Sequence, residues 1–252
     1  MKRPVKITLW TLLTLLVVAL AGGYAYYYFR SGGIPRVSVD CEKFPVMGVD
    51  ISSHNKEVDF ASLVDEGVEF VYMKSTEGAT YKDVRFHHNY RMAKKAGLLV
   101  GVYHFFRFDT DGEMQALNIC HSIRGKQLDL PVAIDVEEWT NPDGIATNIV
   151  LERLRNLVEY LKGNGLDVII YTNLKGYYRF YRKRFENYPL WICSFRNPPL
   201  TGGNKPLFWQ YNHLGSLKGA SGLIDLDVFY GSRAEWDSWL ARRRQAASPV
   251  TN

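Results

Sequence analysis

Three carboxylates fall within four residues in the segment VAIDVEEW, Val132 to Trp139: Asp135, Glu137 and Glu138. An apolar run leads into them, so the segment reads as a buried strand whose end turns acidic. Strand side chains alternate faces at a rise of roughly 3.3 Å per residue, which sets Asp135 and Glu137 on one face about 6.6 Å apart and Glu138 on the other. Two carboxyls held this close suit glycoside hydrolysis, where one acid must protonate the leaving oxygen. Taken alone, the same short pattern also fits a calcium site or a solvated strand end.

Other apolar runs turn polar in the same way. Their ends carry Asp50 and Ser52, Lys74 and Glu77, Tyr103 and His104, Tyr171 and Asn173, Gln210 and Tyr211, and Asp225 with Asp227 mark the last one. With Asp50, Asp135 and Asp225 ionised close by, Glu137 would hold its proton to higher pH than a free glutamate, the state a general acid requires. Tyr103, Tyr171, Trp209 and Tyr211 offer aromatic faces for sugar rings.

The elements that must position these groups alternate in type. Eight short apolar runs read as strands: VMGVDIS, FVYMKSTEG, LLVGVYHFF, LPVAIDVEE, DVIIYTN, LWICSF, LFWQYN and IDLDVFYG. Between them, Val150, Leu154, Leu157, Val158 and Leu161 recur at helical spacing, which predicts a helix over 147–163 capped by Thr147 or Asn148 and ended by Gly163 or Gly165. A second helix is expected over 83–97, with Phe86, Tyr90 and Ala93 on one face. Continuous apolar strands separated by helices imply a parallel sheet covered on both sides, and eight of them imply a closed barrel. The last three strands have short connections, so the expected fold is α/β, an irregular TIM-like β/α barrel with fewer than eight helices. In such a barrel the strand ends converge on one rim, where active sites lie.

The first thirty residues differ in kind. Lys2, Arg3 and Lys6 precede an almost uncharged stretch from Ile7 to Phe29, and Arg30 follows it. That stretch is long enough to cross a bilayer and the leading charge predicts a cytoplasmic N-terminus, residues 1–6, and an exported C-terminal domain. The competing reading is a cleavable signal peptide with Ala19 and Ala21 as its A-x-A site; the apolar stretch continues past that site, which favours a transmembrane anchor over 7–29. Either way the chain is placed at the cell membrane with its domain outside, or secreted if the segment is cut. Residues 30–45 read as a linker, 46–241 as the domain and 242–252 as a tail, with Arg242, Arg243 and Arg244 a solvated helix end or tail.

With 252 residues and 46% hydrophobic content the chain can bury a sizeable core. A net charge of +5 without an aromatic-interleaved basic stripe does not suit nucleic acid. Cys41, Cys120 and Cys193 stand at no metal spacing; a Cys41–Cys120 pair is left open, and Cys193 reads as a small buried hydrophobe. His54, His87, His88 and His104 form no metal motif, and His104, at a strand end, is a candidate substrate contact. No cofactor or metal is expected.

The motifs GVDIS, KSTEG, GVYHF, AIDVEE, IYTN, FWQY and IDLDVFYG, in this order over Val46 to Trp239, resemble glycoside hydrolase family 25, the lysozymes that are N-acetylmuramidases. The resemblance implies an irregular β/α barrel that cleaves the β-1,4 bond between N-acetylmuramic acid and N-acetylglucosamine in peptidoglycan, acting as a monomer without a cofactor. It makes Glu137 the catalytic acid and later base and Asp135 its partner carboxylate, with Asp50 and Asp225 completing the cluster. Whether Asp135 attacks the anomeric carbon or orients the substrate's acetamido group stays open, with retention expected. Tyr103, Tyr171, Trp209 and Gln210 fall in motifs that line the family's sugar groove, and Glu77 and His104 join them as substrate-binding candidates. Two positions depart from the pattern: Asp227 stands where asparagine is common, adding a charge near the rim or pointing away from it, and Phe195 replaces a frequent tyrosine, removing a hydroxyl contact.

Two other functions compete with a muramidase. A tethered glycan-binding module that has lost turnover would not need both Asp135 and Glu137, and a metal-dependent amidase or deacetylase using the same acids would lose activity to a chelator.

Overall fold

All eight expected strands form in the computed structural model, which describes residues 4–30, 39–195, 201 and 203–247. They are β1 (Met47–Ile51), β2 (Val68–Glu77), β4 (Leu99–Phe105), β5 (Val132–Asp135), β6 (Val168–Asn173), β7 (Leu190–Cys193), β8 (Phe208–Gly215) and β9 (Ile224–Phe229), and a two-residue strand β3 (Tyr81–Lys82) pairs with the end of β2. The eight close into a barrel in the order β1-β2-β4-β5-β6-β7-β8-β9, with β9 returning to β1.

The sheet is not wholly parallel, as the alternating pattern suggested. Strand β9 runs antiparallel to both β8 and β1. The reason is the connection: residues 216–223 contain no helix to carry the chain back across the sheet, so it reverses as a hairpin does. This reversal explains how Asp225, near the start of its strand, reaches the rim formed by the ends of the others. Asp225 pairs directly with Asp50.

Helices α2 (Phe60–Asp65), α3 (Phe86–Lys95), α4 (Gly112–Ile123), α5 (Thr147–Gly163) and α6 (Leu174–Gly176, continued by a π-helical turn Tyr177–Tyr181) fill the connections up to β7, and α7 (Arg233–Ala247) follows β9. Among the described residues no helix links β7 to β8. Helix α5 has the expected span, though Ala146 rather than Thr147 or Asn148 occupies its N-cap and no side chain caps it. Helix α3 starts three residues later than expected because Asp83 accepts from the backbone of Arg85 instead of entering the helix. The residues 242–244 belong to α7 rather than to a tail, since Arg243 pairs with Asp167 at 2.7 Å and donates to the Asp129 carbonyl.

Strand alternation sorts the core into two layers. Outward residues such as Val49, Val71, Val102, Ile134 and Ile170 pack under the helices with Leu154, Leu157 and Phe180. Inward residues Phe70, Tyr72, Tyr171, Trp191, Phe208 and Phe229 fill the barrel, and Trp236 and Leu240 of α7 plug its lower end. Two glycines make the filling possible. A Cβ at Gly48 would lie 2.2 Å from the Phe70 ring and one at Gly101 would lie 2.4 Å from the Tyr72 ring.

The chain divides into two compact units, Met1–Arg36 and Val37–Asn252. In the first, α1 (Pro4–Arg30) covers the apolar stretch, and its side chains described, residues 10–24 and Tyr26, are exposed. Among the described residues no helix is long and apolar enough to cross a membrane, so a span over 7–29 rests on the sequence alone. Residues 31–38 of the expected linker, and 1–3 and 248–252 at the ends, lie outside the described residues. The three cysteines are free thiols, so Cys41 and Cys120 are not paired.

The glycine clearance is testable. Gly101→Ala should cost about 1–3 kcal/mol through forced movement of the Tyr72 ring, read as a lower urea midpoint at unchanged slope. An unshifted midpoint would mean the barrel interior yields freely.

Candidate active site

The rim at the ends of the parallel strands gathers the four carboxyls expected there, Asp50, Asp135, Glu137 and Asp225. Strand β5 stops at Asp135, and Glu137 sits two residues beyond it on a clamped segment. The Val136 amide donates to the Tyr171 carbonyl at 2.9 Å, Thr172 donates to the Val136 carbonyl at 2.7 Å, and Asn141 Nδ2 donates to the Glu137 carbonyl at 2.8 Å. The backbone that carries Glu137 is thus fixed from three sides. Glu138 points elsewhere, pairing with Lys175 and Arg179, which hold its carboxyl below the usual range.

Burial and mutual repulsion set the charge of the cluster. Burial raises Glu137 to about 6, against hydrogen bonds donated by the Asn173 side chain and backbone, and the Asp50 charge adds to the rise. Burial lifts Asp225 to about 9, with Asp50 and Glu137 pushing in the same direction. Asp135, 8% exposed and with no partner for its Oδ1, is pushed well up by burial and then by Glu137 and Asp50, while Lys74 opposes this. Asp50 rises to about 6 through burial, restrained by hydrogen bonds from Gln210 and Asp227. The physical causes are those expected for carboxyls crowded in a poorly solvated cleft.

A relay supports Asp50 from below. Tyr171 Oη donates to Gln210 Oε1 at 2.8 Å, and Gln210 Nε2 donates to Asp50 Oδ2 at 2.6 Å. Tyr171 and Gln210 therefore stand at the cluster, but both are buried and act as its supports rather than as open stacking faces. Tyr103 is half-buried, and the charges of Asp50, Asp135 and Asp225, added to burial, raise its hydroxyl well above the ordinary value. Glu77 lies at the edge of the cluster, bonded to Lys74 at 2.6 Å and facing Arg107 at 3.7 Å.

Three of the expected contacts, Trp209, Tyr211 and His104, fall elsewhere. Trp209 points outward into the layer beneath Phe44 and Tyr230, with its Nε1 donating to the Ser194 carbonyl at 2.7 Å. It sits one residue from Gln210, so alternation places it on the opposite face. Tyr211 likewise packs against the outer layer. His104 is next to inward-facing Tyr103 and by the same parity faces outward, fully buried, held between Thr76 at 2.8 Å and Gln115 at 3.0 Å. Burial lowers it to about 4, so it is a neutral structural residue.

Three residues with roles at the site were not among the catalytic or binding candidates, and a fourth lies beneath it. Lys74 is the cation that acts on Asp135, Asn173 donates to Glu137, Asn141 anchors the loop, and Asp227 lies inside the barrel, inaccessible to solvent. Parity with Tyr72 would have turned Lys74 inward, and parity with Asp225 would have done so for Asp227. No sequence signal marks Asn141. Phe195, where a hydroxyl is absent, packs at a tilt against His213 with ring centres 4.3 Å apart.

The family model for glycosyl hydrolases family 25 matches residues 49–220. The autolytic lysozyme of Clostridium acetobutylicum is 37% identical over 190 residues, 72% of this chain and 55% of that protein, so the chain spans about half of that relative's length. Among solved structures, a family 25 glycosyl hydrolase from Bacillus anthracis superposes with a TM-score of 0.72 at 31% identity over 81% of this chain and 96% of its own. The bacterial lysozyme from Streptomyces coelicolor gives 0.67 at 29% identity over 80% and 98%.

The crowding predicts a pH-dependent stability. The ordinary value of Asp225 is 3.8 and its folded value about 9, so the folded chain binds this proton more tightly than the unfolded one. Its contribution to stability is complete below about pH 4 and is lost as pH rises through 9. Asp225→Asn should therefore stabilise the fold at pH 8 by roughly 1–2 kcal/mol, about 2–8 °C in Tm, with little gain at pH 4. A Tm difference independent of pH would contradict the assignment.

Proposed function

Since this chain belongs to family 25 of the glycosyl hydrolases, we propose that its acidic rim hydrolyses the β-1,4 bond between N-acetylmuramic acid and N-acetylglucosamine in peptidoglycan. One observation carries the reading: Glu137, raised to about 6, stands among Asp135, Asp50 and Asp225 on a single rim. A carboxyl poised there is protonated in mildly acid solution and can also give its proton up, which is what a group acting first as acid and then as base requires.

Glu137 protonates the oxygen of the leaving N-acetylglucosamine as the glycosidic bond breaks, and then takes a proton from the water that attacks the anomeric carbon. Asp135 serves the anomeric side, either bonding to that carbon or holding the substrate's own acetamido oxygen against it; both routes retain configuration. Asp50 supplies the negative charge that adds to the rise of Glu137 and favours the positive charge that develops on the sugar ring, while Asp225, held near 9, stays neutral beside it. Tyr103 is the aromatic best exposed to the cleft among the candidates, with Glu77 at its edge.

The place of action follows the same reading. Lys2, Arg3 and Lys6 before an uncharged stretch from Ile7 to Phe29 support export with the N-terminal segment anchored in the cell membrane. The exposed apolar side chains Trp10, Leu12, Leu13, Leu15 and Leu16 on α1 agree with burial in lipid.

Purified peptidoglycan incubated with the full chain should yield new reducing ends that mass spectrometry identifies as N-acetylmuramic acid. Glu137→Gln should lower the rate at least about 100-fold while leaving glycan binding in place, and the wild-type rate should fall as pH rises through about 6, where Glu137 loses its proton. Binding without any new reducing ends would turn the reading toward a glycan-binding module. For the anchor, the full chain should stay in the membrane fraction after alkaline carbonate extraction, and release of an intact chain would count against it.

A further inference from the structure

Beneath the rim, Asp227 is a buried carboxyl that the proposed chemistry leaves without a task. It lies opposite Gln210 of β8 and, on the β1 side, opposite Gly48, which sets it diagonal to Asp50 on the same inward face. Its side chain is wholly inaccessible to solvent. One oxygen, Oδ1, accepts from Trp191 Nε1 at 2.8 Å. The other, Oδ2, has no hydrogen-bond partner, and Asp50, diagonal to it on that face, is the charged neighbour that acts on it most.

That pairing decides the chemistry. Two ionised carboxylates cannot bond to each other, and a buried anion with one neutral donor carries a large desolvation cost. The titratable groups facing Asp227 are Asp50 from β1, Tyr72 from β2 and Asp225 from its own strand, and Tyr211, on the outer face of β8, feels its charge from behind. Among the described residues no cation acts on it. A proton on Oδ2 resolves all of this, since the hydroxyl donates to Asp50 and the carbonyl oxygen keeps the bond from Trp191.

We propose that Asp227 is a positioning residue that works as a neutral carboxylic acid, donating a hydrogen bond from Oδ2 to Asp50 and so fixing Asp50 at the rim as an ionised acceptor. Asp50 then accepts two bonds, one from Gln210 Nε2 and one from Asp227, and both favour its charged form. Burial, with the neighbouring charges of Asp50 and Asp225, holds the Asp227 proton well above the usual carboxylate range, consistent with this role. The assignment of a catalytic consequence rests on the reading of Asp50 as part of the hydrolytic cluster; the assignment of the proton does not.

The test separates these two parts. In the infrared spectrum of the full chain at pH 7, wild type minus Asp227→Asn should show the loss of one un-ionised carboxyl band. Loss of an ionised carboxylate band instead overturns the proposal, whatever the enzyme does. On purified peptidoglycan, Asp227→Asn, which keeps a donor toward Asp50 and an acceptor for Trp191, should retain most of the turnover. Asp227→Leu, similar in shape and without either group, should lose roughly 10- to 100-fold. Equal losses in both variants, each folded by near-ultraviolet circular dichroism, would also overturn it; if Asp227→Leu does not fold, the infrared arm and the retained turnover of Asp227→Asn still decide. Absence of turnover in the wild type would sink the hydrolytic reading and leave the proton assignment to the infrared result.

Discussion

The antiparallel placement of β9 between β8 and β1 is the constraint on which the site depends. A further parallel crossover would have carried Asp225 and Asp227 to the far end of the barrel or required another helix on the outside. Reversal instead closes the sheet and lays both aspartates along β1, so that Asp225 pairs with Asp50 and Asp227 lies one step below. Closure and the acidic cluster are therefore the same event. The ladder hydrogen bonds of two strand pairs hold together side chains that repel one another when charged.

What makes the repulsion strong is the floor under the acids. Tyr72, Tyr171, Trp191 and Phe208 fill the barrel directly beneath the rim, and Gly48 and Gly101 give up their side chains so that the rings of Phe70 and Tyr72 fit. Water is excluded from that side, and the interaction of charges above an apolar floor is correspondingly larger than in open solvent. The floor is polar only where it meets the acids. Tyr171 reaches up to Gln210, Gln210 to Asp50, and Trp191 to Asp227.

The architecture was legible in the sequence to the extent that it follows from periodicity. Eight apolar runs became eight barrel strands and the helical stripe at 147–163 became α5 with the same limits. Direction was not legible, because an apolar run carries no sign of which way it will run. The four acids could be read from their places at strand ends, and the order of the surrounding motifs made their convergence credible. Trp209 and His104 lie away from the cleft for one reason: each adjoins an inward residue, Gln210 or Tyr103, and alternation turns it to the opposite face. Lys74 and Asp227 could have been found by that same alternation. Asn141 could not, since its hold on the Phe106 and Glu137 carbonyls joins a strand end to a loop 35 residues away in the chain.

Hydrogen-bond donors, rather than burial alone, sort the crowded acids by role. All are poorly solvated, yet Asp50 and Glu137 both come to about 6 and Asp225 to about 9. The difference follows the donors. Gln210 donates to Asp50, and the Asn173 side chain and backbone favour the charged form of Glu137, whereas burial and the charges of Asp50 and Glu137 all act in one direction on Asp225. A carboxyl near 9 stays neutral through mildly acid and neutral solution and exchanges its proton with difficulty. One near 6 can hold the proton for bond cleavage and accept it again when water attacks. Asn173, at the end of β6, thus does for Glu137 what Gln210 does for Asp50: it draws the carboxyl back from the extreme value that burial alone would impose, into the range where one group can both hold a proton and give it up.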